Sequence, residues 1–177
     1  MQDLWVFGYG SLMWRPGFEF EERCPALLRG YHRAFCVYSH VHRGTPEKPG
    51  LVFGLDAGGS CRGVAFRVDA ARAEDVKRYL QAREQVTLVY RDVVKPVELV
   101  DEGRRVEALC FVVDRAHEQY AGRIDFDEQV RLIAEGEGRS GKNPDYLEST
   151  VRHLDEAGLA DEGLTRLWQA VERRLRR

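Results

Sequence analysis

The spacing of apolar residues changes about two-thirds of the way along the chain, from every second position to every third or fourth. Leu4-Trp5-Val6-Phe7, inside an apolar and aromatic run from Asp3 to Tyr9, ends in Gly8-Tyr9-Gly10-Ser11. This pattern predicts a buried, central strand that runs into a tight turn. Tyr31 to Tyr38 predicts a second strand, and the Gly- and Pro-rich stretch Arg43-Gly44-Thr45-Pro46-Glu47-Lys48-Pro49-Gly50 predicts a loop after it. Leu51 to Asp56 and Cys61 to Val68 flank Ala57-Gly58-Gly59-Ser60, which reads as a hairpin. Asp92 to Val100 and Val106 to Val113 read as another, around Asp101-Glu102-Gly103, with Pro96 pushing the first of them toward a sheet edge.

A helix is predicted from near Asp69, with Val76, Tyr79 and Leu80 on one face. The next position on that face is Glu84, where an apolar residue should stand. A carboxylate there is costly unless it is paired or serves as a base of raised pKa. Neutralisation by Arg83 or Arg91, or fraying of the helix, are the alternatives to a catalytic role. After residue 124 the helical period takes over. Asp125 with Glu128 three residues on has the form of a capping box, opening a helix through about Glu135. Asn143-Pro144 has the form of a second helix start, and Leu164, Leu167, Trp168, Val171 and Leu175 define a last amphipathic helix ending in arginines that suit its dipole.

The glycine turn after the first strand excludes two familiar chemistries. Met13 stands where a dinucleotide fingerprint needs its third glycine, and Tyr9 and Met13 stand where a nucleophile elbow around Ser11 needs glycines. Two readings stay open: a concave anion site made by consecutive backbone N–H groups, or a glycine pair needed only for the turn.

Composition narrows the class further. The 177 residues, 44% of them hydrophobic, suffice for one globular domain spanning 1–177. With 27 Lys and Arg against 29 Asp and Glu, the formal charge of -2 offers nucleic acid or acidic membranes no global attraction, so neither is expected as a partner. The start, Met1-Gln2-Asp3-Leu4, lacks the marks of a signal peptide, and no apolar run is long enough to span a bilayer; a soluble, cytoplasmic protein is expected. Cys24, Cys36, Cys61 and Cys110 are scattered without CxxC spacing, which predicts reduced, structural thiols. His40 and His42 share a face of a strand but have no third ligand nearby in sequence, and His32, His117 and His153 stand apart, so no metal site is expected.

A set of ordered motifs adds to this picture. Phe7-Gly8-Tyr9-Gly10-Ser11-Leu12, Gly30-Tyr31-His32-Arg33, Arg43 to Gly50, Gly63-Val64-Ala65, Tyr79-Leu80-Gln81-Ala82-Arg83-Glu84 and Gly141-Lys142-Asn143-Pro144-Asp145-Tyr146-Leu147 strongly resemble the ChaC-like γ-glutamylcyclotransferases. Gln85 departs from the methionine of many relatives. The resemblance implies an α+β fold, a small mixed β-barrel with flanking helices. It also implies cleavage of glutathione to 5-oxoproline and cysteinylglycine without a cofactor or metal. Glu84 would be the general base and acid. The backbone and side chains of Phe7, Gly8, Tyr9, Gly10, Ser11 and Leu12 would cradle the γ-glutamyl group, Tyr146 would hydrogen-bond the substrate, and Arg43 would meet the glycine carboxylate. Other γ-glutamyl amines or dipeptides as substrates, or a non-catalytic γ-glutamyl-binding regulatory domain, are the alternatives.

Overall fold

A computed structural model describes residues 1–85 and 88–177. It divides into two compact units, Met1–Ala34 with Gly54–His117, and Phe35–Phe53 with Glu118–Arg177. The fold is α+β, as expected. Strands β1 (Leu4–Gly8), β2 (Glu22–Ser39), β3 (Gly50–Val68), β4 (Tyr90–Leu99) and β5 (Arg104–Val113) close a barrel in the order β1-β3-β2-β4-β5. A four-residue helix, α1 (Ser11–Trp14), follows β1, and α2 (Ala73–Glu84) separates β3 from β4.

In the first unit, β1 lies between antiparallel β3 and parallel β5. A strand covered on both faces needs an unbroken apolar run, and Trp5 through Gly8 are all buried. Val6 packs with Leu12, Val68, Val76, Leu80, Leu109 and Phe111 in one cluster, edged by Leu4, Phe18 and Tyr90. Thus β1, α1, α2 and β5 share a core. Because apolar burial contributes roughly 1.5–3 kcal/mol for a large side chain, this cluster fixes α2 against the barrel far more firmly than any surface charge.

Several expectations need correction. Ala57-Gly58-Gly59-Ser60 is no hairpin: β3 runs through it as one strand, exposed there, with Gly58 and Gly59 at φ 105° and 69°. Positive φ at two glycines bends the strand without reversing it, and His32 of β2 meets the Gly58 carbonyl through Nδ1 at 2.9 Å. The strand expected from Tyr31 begins at Glu22, because Arg23 and Pro25 hide an alternating pattern that buries Ala26 and Leu28. Pro96 lies in a strand with neighbours on both sides, yet at a place where one side of that strand is locally an edge. Strand β4 pairs with β5 along its length and with β2 at Ala26–Leu99 and Leu27–Glu98, and Pro96 falls past that second ladder, where its missing N–H is harmless. The β4–β5 hairpin stands, with Gly103 at φ 64° in its turn.

The second unit holds α3 (Phe126–Glu135), the short pair β6 (Glu137–Gly138) and β7 (Gly141–Lys142), α4 (Asn143–Glu156) and α5 (Glu162–Leu175). The three helices pack on one another. Asp125 does occupy the N-cap of α3, but its side chain caps nothing and Glu128 pairs with Arg131 at 2.6 Å instead of closing a capping box. Leu164, Leu167 and Val171 of α5 are buried, while Leu175 at its end is exposed. Asn143 opens α4 without capping it. Its fully buried amide accepts from Leu51 N–H at 2.8 Å and donates to Leu51 C=O at 2.9 Å, like a strand neighbour. Close backbone crossing explains the glycines nearby: a Cβ on Gly136 would lie 2.7 Å from the Arg43 carbonyl oxygen and 3.1 Å from Gly50 Cα.

Asn143→Ala strands both polar groups of Leu51, each worth roughly 1–3 kcal/mol when buried unpaired. A clear fall in thermal midpoint is expected; an unchanged melt would show that the bracket carries no stability.

Candidate active site

Glu84 is the last residue of α2, one turn beyond Leu80 and two beyond Val76, both buried. The helix face that seats α2 in the core therefore delivers the carboxylate to the rim of that core. Asp69 starts this segment, its side chain accepting from Ala71 N–H at 2.8 Å. Two glutamines fasten its far end. Gln81 donates to Asp92 Oδ2 at 3.1 Å, and Gln85 donates to Asp92 Oδ1 at 3.0 Å and to the Tyr90 carbonyl at 3.2 Å. Those amides hold the Asp92 carboxyl below its usual range. Gln85 thus ties the end of α2, just after Glu84, to β4.

The Glu84 side chain is 18% exposed, and Arg83 Nε lies 3.6 Å from Oε1, too long for a hydrogen bond. Burial pushes its carboxyl pKa above the ordinary 4.5, and the Arg83 charge opposes that rise without cancelling it. Its place at a helix C-terminus, the negative end of the dipole, also disfavours the ionised form. The ion pair expected as an alternative is therefore present with Arg83, yet it leaves the carboxyl more basic than a free one.

Arg83 reaches further than its neighbour. Nη1 donates to the Arg15 and Pro16 carbonyls at 2.7 and 2.9 Å and to Tyr79 Oη at 3.2 Å, and Nη2 donates to Ser11 Oγ at 3.1 Å. One planar guanidinium so ties the end of α2 to both ends of α1. Tyr79, expected on the buried face, is instead half-exposed and supports this fork. The turn itself spans Gly8 to Leu12. Phe7, Gly8, Tyr9, Gly10 and Leu12 are buried and Ser11 is exposed, and the Gly10 carbonyl accepts from Met13 N–H at 2.9 Å. The first N–H groups of α1 have no carbonyl within the helix to receive them. The turn and the carboxylate thus belong to one braced assembly in the first unit.

A family profile described as "ChaC-like protein" matches residues 4–174. The chain belongs to the ChaC-like family. It is 38% identical to the glutathione-specific gamma-glutamylcyclotransferase of Escherichia coli (strain K12), over 97% of this chain and 74% of that protein. It is 33% identical to glutathione-specific gamma-glutamylcyclotransferase 1 of Homo sapiens, over 96% of this chain and 79% of that one. The crystal structure of a gamma-glutamyl cyclotransferase specific to glutathione from yeast superposes with a TM-score of 0.86 at 25% identity, covering 98% of this chain and 97% of that one.

Within this ChaC-like chain, Tyr146 and Arg43 fall in the second unit, beside one another. The Arg43 guanidinium stands 5.5 Å above the Tyr146 ring and donates to the Lys142 carbonyl at 3.0 Å, and Tyr146 Oη accepts from Phe53 N–H at 3.2 Å. Both therefore have structural partners. Two roles escaped the sequence reading. Arg83 was weighed as a neutralising charge, although its i,i+4 spacing from Tyr79 is the signal of a shared fork. Arg33, which donates to the Tyr9 carbonyl, sits on another strand with no local cue. Among the described residues no three of His, Cys, Asp and Glu gather as metal ligands, and no helix is long and apolar enough to cross a membrane.

A raised carboxyl pKa has a stability consequence of definite sign. Well below 4.5 both the folded and unfolded chains hold the proton and Glu84 costs nothing. As pH rises through that value the unfolded chain ionises first, so the fold loses stability progressively up to the raised folded pKa, and the loss stays at its full size above it. Glu84→Gln should therefore come closest to the parent's thermal midpoint at acid pH, well below 4.5, and exceed it at pH 7. A midpoint below the parent's at pH 7 alone would contradict the desolvated carboxylate.

Proposed function

We propose that this chain is a glutathione-specific γ-glutamylcyclotransferase, a lyase that converts glutathione to 5-oxoproline and cysteinylglycine. The α-amine of the γ-glutamyl group attacks its own side-chain carbonyl carbon, the new C–N bond closes a five-membered ring, and the amide bond to cysteine breaks. No water enters. At neutral pH only about one such amine in ten is unprotonated, so a base must take its proton and an acid must return one to the departing amine. Glu84 performs both steps. Its desolvated carboxyl is a stronger base than an exposed glutamate, and a single group between two nitrogens carries the proton from one to the other. Proton transfer of this kind contributes on the order of 10²–10⁴-fold, and holding the chain folded toward the ring supplies a further entropic share.

The turn from Phe7 to Leu12 holds the glutamyl group. Its backbone N–H groups receive the α-carboxylate and the oxyanion that develops on the γ-carbonyl. Specificity for glutathione over other γ-glutamyl amines follows the relatives from Escherichia coli and human, both named as glutathione-specific. Four cysteines without disulfides fit a reducing cytoplasm, where that substrate is made and kept reduced. The raised carboxyl of Glu84, on a helix end that Arg83 ties to Ser11 and to the Arg15 and Pro16 carbonyls, is the observation on which the reading stands.

Purified protein incubated with glutathione should yield 5-oxoproline and cysteinylglycine by mass spectrometry, and γ-glutamyl dipeptides should be poorer substrates. Glu84→Gln should lose turnover by about 10³-fold or more while still binding glutathione, since the amide keeps the shape but takes no proton. Retained turnover in that variant would end the assignment. Arg83→Gln removes the charge that restrains the Glu84 pKa, so the acid limb of kcat/KM should move to higher pH. An acid limb that stays in place or moves down would show that Arg83 does not act on the base.

A further inference from the structure

Arg33 makes a contact that the reaction scheme above leaves unused. It extends from β2, where Nε donates to the Tyr9 carbonyl at 2.7 Å and Nη2 donates to the Arg62 carbonyl at 2.6 Å. Among the described residues no carboxylate lies within ion-pair distance of it. A half-buried guanidinium is therefore committed to two backbone oxygens. Gly63, next to Arg62, allows the close approach of β3 that this needs, because a Cβ there would run into the Gly8 carbonyl oxygen and lie 2.8 Å from the Phe7 ring.

The peptide between Tyr9 and Gly10 is planar and trans, so its carbonyl and its N–H point in opposite directions. Fixing the Tyr9 oxygen on Arg33 fixes where the Gly10 N–H points, away from that arginine. The next peptide is fixed as well, by Met13 N–H on the Gly10 carbonyl at 2.9 Å. Among the described residues nothing accepts a hydrogen bond from the Gly10 N–H. A cation on the carbonyl also draws electron density through the amide and makes that N–H a better donor.

We propose that Arg33 is a positioning residue for the cyclisation: by gripping the Tyr9 carbonyl it aims and polarises the Gly10 N–H toward the oxyanion that forms on the γ-carbonyl. This rests on the cyclotransferase reading above. A donor that tightens only as charge develops affects kcat more than KM. Loss of an entire oxyanion donor costs on the order of 10²–10³-fold, and a misaimed, unpolarised donor should cost about 10–100-fold.

Steady-state formation of 5-oxoproline from glutathione is measured for the parent, Arg33→Gln and Arg33→Lys, with thermal melts to establish that each is folded. Arg33→Gln should lose about 10–100-fold in kcat with KM changed less than about threefold, and Arg33→Lys, which keeps a cation but not the fork, should fall between it and the parent. A folded Arg33→Gln with kcat within about twofold of the parent, or one in which only KM rises, overturns the proposal. If Arg33→Gln does not fold, Arg33→Lys decides by the same criteria. A parent that makes no 5-oxoproline removes the cyclotransferase reading and this role with it, whereas an active parent with unaffected Arg33 variants removes this role alone.

Discussion

A carboxylate lifted partly out of water at the end of α2 sets the terms for everything around it. Glu84 occupies the continuation of an apolar helix face, so the packing of Val76 and Leu80 that holds the helix also removes solvent from the acid. Full burial would neutralise it, and full exposure would leave an ordinary weak base. The intermediate state requires a nearby cation that is not a close partner. Arg83 supplies this at 3.6 Å because its terminal nitrogens are held elsewhere, on Ser11 and on the Arg15 and Pro16 carbonyls. The same bonds that keep Arg83 from closing on Glu84 hold α1 to the helix.

Much of this was legible in the chain. The double coverage of β1 follows from its unbroken apolar run, the β4–β5 hairpin from its glycine turn, and the anomaly of Glu84 from helical spacing alone. Misreadings fall where one residue type serves two geometries. Gly58-Gly59 is equally good as a turn or as a bend in a long strand, and only pairing with a partner strand tells them apart. Asn143-Pro144 has the local form of a cap, but a buried asparagine satisfies a distant strand's amide and carbonyl more fully than one helix N–H. Pattern reading sees the residue and its neighbours in sequence, whereas Leu51 lies 92 positions away. Arg33 was hidden for the same reason. Its two acceptors are backbone oxygens, which leave no trace in the identity of the residues that carry them.

Two arginines grip backbone or hydroxyl oxygens around one turn, and neither task suits lysine. Each requires several donors spread in a plane, so that one side chain bridges segments distant in sequence: the turn after β1 to β3 through Arg33, and α1 to α2 through Arg83.

The precision of the site comes from the core beneath it. Gly8 ends a strand whose Val6 lies in the apolar cluster, Leu12 enters that cluster from α1, and Leu80 enters it one turn before Glu84. The glycine turn and the Glu84 carboxylate are thus the ends of elements whose middles touch the same side chains. A displacement of β1 relative to α2 would have to open or crowd that cluster, at a cost of roughly 1–3 kcal/mol even for modest volume changes. Polar bonds set orientation at the rim, through Arg33 on one peptide and Arg83 on Ser11, but they act over short distances and exchange with water. Close packing keeps the turn and the carboxylate at a constant separation, and the arginines orient the groups at the rim.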